Sequence, residues 1–247
     1  MSKTLAVILH YNTPEMTDRL YEQLKPYEGN DYELVVLDNG SPEEGKSKYT
    51  NYRCEPNVYF GGGLNLAMNI VLENPQYDSL LFLNSDLIVH GYRFVKTLRK
   101  EMLEGGYKII SPAVIQPERN QCFWPTMHCW NSDVVRDVPW IDFQCPLIHR
   151  DLIEEIGQFD EDLIFGWGND VYSGVVCESK GWKMGVVDFC PAIHLSNATV
   201  QKNQDNPIIK NYNVYAEQGM VKFFQKIGKM KELVELRNKA QNYRYDG

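Results

Sequence analysis

No stretch of this 247-residue chain approaches the roughly 18 consecutive apolar residues that a membrane span requires. Basic residues form no stripe, and the net charge is -8, which argues against nucleic acid as a partner because a polyanion favours a positive face. The six cysteines (54, 122, 129, 145, 177 and 190) contain no CxxC pair, so reduced thiols are expected rather than a disulfide framework. Cys122, Cys129 and His128 lie close in sequence, but no second paired cluster exists to complete a zinc site. Repeats and low-complexity tracts are missing too. Gly61-Gly62-Gly63 is not followed by Lys-Ser/Thr, which excludes a P-loop. The dinucleotide fingerprint would need another glycine at Asn65 or Leu66.

What is present is an ordinary globular balance, with 43% hydrophobic and 23% charged residues. The length suits one large domain, or a domain plus an appendage. Leu5 to Leu9 is too short for a signal h-region, lacks a cleavage site and is followed by polar His10-Tyr11-Asn12. It reads as a first strand, and the expected location is cytoplasmic. In that setting the sequon match Asn197-Ala198-Thr199 is expected to be accidental.

The first half alternates strands and helices. Strands are expected at Leu5 to Leu9, Tyr32 to Leu37, Asn51 to Arg53 and Ser79 to Leu83. Helices are expected from Pro14 to about Tyr27 with Thr13 as N-cap, from Asn65 to Glu73, and from Arg93 to Leu103. This βαβ pattern implies a mostly parallel sheet with covered faces. In the second half, Lys108 to Ile115, Trp140 to Ile148 and Lys183 to Asp188 read as strands. Asp151 to Ile156 and Asn169 to Lys180 read as helices. From Asn211 to about Gln241 the pattern is helical, with a break at Gly228.

Chemistry concentrates at strand ends. Ser79-Leu80-Leu81-Phe82-Leu83 has no helical period and ends in Asn84-Ser85-Asp86, which places a carboxylate where ligands bind in open α/β sheets; taken alone, the segment reads more simply as a capping Asp after a strand. Asp38, in Asp38-Asn39-Gly40-Ser41, ends the second strand, where a carboxylate can accept bonds from a ribose or a base. An Asx-turn explains the same residues. The glycine run within Asn57 to Asn65 lets backbone approach a ligand, or is simply a flexible loop. Asp170 opens a helix beside Gly166 and Gly168, where the macrodipole favours its ionised form and small neighbours leave it accessible to act as a base. His194 follows Cys190-Pro191-Ala192-Ile193 and could complete a metal site with Asp86.

In this order, these segments resemble the inverting GT-A glycosyltransferases of the family 2 type, rhamnosyltransferase-like members included. The resemblance runs over about residues 5 to 196. It rests on Val7-Ile8-Leu9-His10-Tyr11-Asn12, Leu37-Asp38-Asn39-Gly40-Ser41, Asn57 to Asn65 and Leu81-Phe82-Leu83-Asn84-Ser85-Asp86. Ile156-Gly157-Gln158-Phe159-Asp160-Glu161, Trp167-Gly168-Asn169-Asp170 and the His194 segment complete it.

The resemblance implies a GT-A domain over 1–210, with a nucleotide-sugar half (1–105) and an acceptor half (106–210), and a helical extension over 211–247. His10, Tyr11, Asn12, Asp38, Gly61, Gly62, Gly63, Asn65 and Ser85 would bind the nucleotide. Asp86 and His194 would hold a divalent cation, Mn²⁺ or Mg²⁺, with Asn84-Ser85-Asp86 standing in for the DXD motif. Asp170 would be the general base, and Trp167 and Asn169 would face the acceptor. The donor would be a nucleotide sugar, UDP- or dTDP-linked by preference. The acceptor would be a glycan or glycolipid, reached through peripheral membrane association if it is membrane-borne. Two positions depart from the family: Asn84 replaces the first DXD carboxylate, and Asn169 replaces the Glu usually found before the base. Trp124, Trp130 and Trp140, in a segment that fits the family poorly, read equally as acceptor platforms or as core. Lys222, Lys226, Lys229 and Lys231 read as a solvated helix face, or as contacts to an anionic surface. A nucleotidyltransferase and a non-catalytic carbohydrate-binding protein are the alternative readings. The first lacks a basic, glycine-rich turn after strand one.

Overall fold

The computed structural model describes residues 2–196, 198–203 and 205–245; Asn197 of the sequon lies outside them. In chain order the elements are β1 (Lys3–His10), α1 (Pro14–Leu24), β2 (Tyr32–Asp38), β3 (Thr50–Arg53), α2 (Tyr59–Glu73), β4 (Tyr77–Asn84), β5 (Leu87–Ile88) and α3 (Phe94–Gly105). There follow β6 (Tyr107–Ile115), β7 (Val135–Asp137), β8 (Leu147–His149), α4 (Arg150–Ile156), α5 (Asn169–Lys180) and β9 (Lys183–His194). Four helices end the chain: α6 (Ala198–Lys202), α7 (Pro207–Lys210), α8 (Tyr212–Lys226) and α9 (Met230–Gln241).

The strands form one mixed sheet in the order β3-β2-β1-β4-β8-β6-β9-β5, with β7 pairing β9. β1, β2, β3 and β4 are parallel, as are β6 and β9, whereas β8 runs antiparallel between β4 and β6. Alternation along each strand divides the core. Leu5 and Val7 of β1 face a cluster shared with Leu64, Met68 and Leu152, while Ala6 and Ile8 face Leu20, Leu24 and Leu98. Phe223 and Phe224 of α8 and Leu233 and Leu236 of α9 join the first cluster, so the last helices pack on the sheet's helical layer.

Two local departures matter for the site. The stretch expected as a strand from Trp140 to Ile148 pairs regularly only at Leu147–His149. A tight turn lifts Asp142 to Gln144 off the strand path, with the Gln144 N–H bonded to the Asp142 carbonyl at 2.8 Å. Second, β9 runs past Asp188 to His194. Its register against β6 slips between Pro112↔Val187 and Val114↔Ala192, and its end also pairs with β5, Leu87 opposite His194. Neither β5 nor β7 is long enough to show a period of two in sequence.

Thr13 precedes α1 as expected but caps nothing; its hydroxyl meets Ser85 Oγ at 3.0 Å. All six thiols are free. Each C-terminal lysine pairs with a carboxylate: Lys222 with Asp162, Lys226 with Asp160, Lys229 with Glu232 and Lys231 with Glu235. Their charge is thereby largely offset. Among the described residues no helix is long and apolar enough to cross a membrane.

Candidate active site

A cavity of about 610 Å³ opens at the carboxyl ends of β1 and β4. Leu9 and Tyr11 line it from the end of β1, Asn84, Ser85 and Asp86 from the end of β4, and His194 from the end of β9. Trp167, Gly168, Asp170 and Val171 line it from the start of α5. The pairing of β5 with β9 explains one corner. With Leu87 opposite His194, the Leu195 N–H bonds the Asp86 carbonyl at 3.1 Å and the Asp86 carboxylate meets His194 Nε2, also at 3.1 Å. Asn84 Nδ2 lies 3.5 Å from the same Nε2. Burial would depress His194, but the hydrogen bond and charge of Asp86, with Asp142 and Glu118 beyond, hold it above its ordinary 6.5.

Asp170 forms the opposite corner. Gly168 precedes α5 with φ of +94°, a backbone state natural to glycine, and this turns its N–H onto Asp170 Oδ1 at 3.0 Å. The Val171 N–H bonds the same oxygen at 2.8 Å. Among the described residues Oδ2 has no hydrogen bond. The carboxyl is 8% exposed, so its access is through the cavity rather than through open surface. Burial first, and the charge of Asp142 second, push Asp170 from 3.8 up to about 8. The expectation that the helix dipole keeps it ionised is corrected here: a helix end contributes about 0.3–2 kcal/mol, less than burial takes away.

Several residues expected at the nucleotide lie elsewhere. His10 is fully buried, its Nε2 on the Gly45 carbonyl at 2.9 Å and its Nδ1 on Thr17 at 2.7 Å. Asn12 turns away to Ser41 and Asn203. Asp38 is closed over by Arg53 at 2.5 Å and by the Ser41 N–H at 2.9 Å. The glycines stand inside the first turns of α2 rather than before it, and their size serves packing. A Cβ on Gly61 would sit 2.5 Å from the Leu163 carbonyl oxygen, and one on Gly63 would strike Leu9. Asn65 ties α2 to Phe159 by two backbone bonds of 2.9 and 2.8 Å. Asn169 is fully buried and does not line the cavity. Among the expected site residues, the cavity gathers Tyr11, Ser85, Asp86, Trp167, Asp170 and His194.

The cavity also gathers residues that sequence reasoning missed: Asn39, Asn57, Tyr59, Gln116, Asp142, Gln144 and Tyr212. Asn39 was adjacent to a highlighted residue, and Asn57 and Tyr59 sat in the glycine segment. Asp142 carried no signal, because an acidic residue in an apolar run reads as the polar face of a strand. Trp140 is buried yet borders the cavity, and Trp124 packs edge-on against it at 4.4 Å; Trp130 stands away from the cavity, beside His128.

Residues 6–157 match the model of Glycosyl transferase family 2, and the chain belongs to that family. No curated protein matches it. Among solved structures it is similar to "Crystal structure of GalNAc-T7 with UDP, GalNAc and Mn2+", at TM-score 0.63 and 14% identity, over 96% of this chain and 54% of that one. The chain thus spans about half the length of that protein, and the likeness is one of fold. "Crystal Structure of A197 from STIV" matches over 78% of this chain and 85% of that one, at 17% identity and a TM-score of 0.46. The fold is GT-A, and family membership makes the chain a nucleotide-sugar-dependent glycosyltransferase.

Proposed function

We propose that the protein moves a sugar from a UDP- or dTDP-linked donor to a hydroxyl of a glycan or glycolipid acceptor, inverting the anomeric carbon, with Asp170 as general base. The observation that carries this reading is that one cavity joins the Asp86–His194 corner to the buried carboxyl of Asp170. In this reading residues 1–105 supply most of the donor side and 106–210 most of the acceptor side. Tyr212 and Arg237, from 211–247, also border the cavity.

Among the described residues no three His, Cys, Asp or Glu side chains gather to hold a metal unaided. The pair at 3.1 Å is nonetheless compatible with two neighbouring ligands of Mn²⁺ or Mg²⁺, whose bonds of about 2.1 Å set adjacent ligands about 3 Å apart. Asp86 and His194 would hold the ion, and the diphosphate would complete its shell. The ion would offset the charge of the departing nucleoside diphosphate. The similar structure named above contains UDP and Mn²⁺, in keeping with this reading.

Asp170 Oδ2 takes the proton of the acceptor hydroxyl. That oxygen attacks the anomeric carbon from the face opposite the diphosphate, and the bond to the diphosphate breaks with its electron pair. The transition state resembles the oxocarbenium of glycoside hydrolysis, and no covalent enzyme intermediate is needed. The setting we favour is cytoplasmic, with at most peripheral contact to a membrane that carries the acceptor. Titration calorimetry with UDP, dTDP and GDP tests the donor reading. UDP or dTDP should bind at least about tenfold more tightly with Mn²⁺ present, and a lack of binding by all three would overturn it.

A further inference from the structure

One wall of the cavity has no part in the roles above. Gln116 follows the end of β6, and Asp142 and Gln144 sit on the turn between Trp140 and β8. Gln116 and Gln144 are each only 7% exposed. Gln144 Nε2 donates to Asp142 Oδ2 at 2.7 Å, which fixes the amide's orientation and leaves Gln144 Oε1 buried without a partner. Gln116 Oε1 and the Trp140 indole N–H are buried without partners as well. Such orphaned groups are rare in folded proteins, and when they crowd one wall of a cleft they mark where a polar ligand completes the bonding.

The position and chemistry of this wall define that ligand. The Asn84 N–H bonds the Gln144 carbonyl at 3.3 Å, so the wall adjoins the Asn84-Ser85-Asp86 corner where the diphosphate would lie. A diphosphate in a nucleotide sugar is flanked by the ribose on one side and the transferred sugar on the other; Tyr11 and Asn39 line the cavity on the β1–β2 side of β4, and this wall lies on the opposite, β8–β6 side, which is the side left to the sugar. Two amide oxygens and a carboxylate demand hydrogen donors, and one indole N–H offers a single donor in return. Ring hydroxyls match both. A carboxylate on the sugar would instead meet Asp142, whose charge already acts on Asp170. Of the two arginines that line the cavity, Arg237 pairs with Glu217 at 3.4 Å and lies 5.8 Å from the Trp124 ring, and Arg119 lies 5.4 Å from the Phe123 ring; among the described residues neither forms an ion pair or hydrogen bond with Gln116, Asp142 or Gln144.

We propose that Gln116, Asp142 and Gln144 read the hydroxyls of the transferred sugar and select a neutral sugar over an anionic one. The inference rests on the nucleotide-sugar reading. The test uses UDP, UDP-glucose and UDP-glucuronate, the two sugars differing only at C6, with Mn²⁺ and the whole chain. Calorimetric competition should show UDP-glucose bound at least about tenfold more tightly than UDP-glucuronate. Asp142→Asn, nearly isosteric, should shrink that ratio at least fivefold while changing UDP affinity less than twofold. Gln144→Ala should weaken UDP-glucose, and not UDP, by a similar factor. UDP binding with equal affinity for the two sugars, or with a ratio that Asp142→Asn leaves intact, would overturn the selection wall alone. Failure to bind UDP at all would overturn the uridine donor and the proposal together.

Discussion

Replacing Asp170 by Asn should make the protein slower and more stable at once. The Asn side chain can keep its oxygen on the Gly168 and Val171 N–H groups, so the start of α5 is preserved. What changes is Oδ2. An unfolded Asp titrates near 3.8, but in the fold burial and Asp142 push this one to about 8. At pH 7 the unfolded chain holds the group ionised, while the native state must keep it mostly protonated. The gap from 3.8 to 7 is about three units at about 1.4 kcal/mol each, so the fold bears up to ~4 kcal/mol that a neutral amide removes. If half survives relaxation around the site, about 2 kcal/mol remains, which for a chain of this size raises Tm by roughly 4–8 °C. Loss of the base should meanwhile lower turnover about 10²- to 10⁴-fold. Calorimetric melting at pH 7 and an assay of nucleoside diphosphate release check the two halves. A variant that melts lower and still turns over normally would refute both the buried acid and its role.

Three further outcomes are expected. In wild type, Asp170 and His194 bind more protons folded than unfolded, so their contribution to metal-free stability should fall as pH rises: between 3.8 and about 8 for Asp170, and from 6.5 upward through its raised value for His194. His10, His128 and His149, held below 6.5 by burial, add the opposite slope, so melting of wild type relative to Asp170→Asn isolates the Asp170 sign; a wild-type stability that climbs from pH 5 to 8 relative to that variant would contradict it. Asp86→Asn should drop the His194 titration below 6.5, because burial then acts with less opposition; imidazole NMR reads this directly. Gly61→Ala should destabilise by about 1–3 kcal/mol in urea, despite Ala's better helix propensity, because its Cβ meets the Leu163 carbonyl while the Gly61 N–H is bound to Ile164. Gly29→Ala, with nothing within 4 Å, is the control and should stay within about 0.5 kcal/mol of wild type.

The sheet was legible because β1, β2 and β4 are buried on both faces and read as unbroken apolar runs ending in polar residues. Those ends put Ser85 and Asp86 at the cleft. Sequence could not tell which polar ends face inward: His10 and Asp38 sit at the same sheet edge but are closed over by Gly45, from the connection after β2, and by Arg53, at the end of β3. The glycine run was misread for a related reason. Gly61 answers a close approach by Leu163, a hundred residues on, and Gly63 one by Leu9, and none of the three glycines lines the cavity. Asp142 was invisible because its place depends on a turn that breaks an apparent strand. Long-range packing, which leaves no local pattern, decided each of these cases.

The central claim is that this cavity cleaves a nucleotide sugar at the anomeric carbon, with Asp170 acting from the face opposite the leaving group. Proton NMR of the protein with Mn²⁺ and UDP- or dTDP-sugars, using water as a surrogate acceptor, follows both the nucleotide and the released sugar. The account predicts the nucleoside diphosphate together with a sugar released first as the inverted anomer, at a rate that Asp170→Asn abolishes. A retained anomer, release of pyrophosphate with a nucleoside monophosphate product, or a rate unchanged in Asp170→Asn would contradict it.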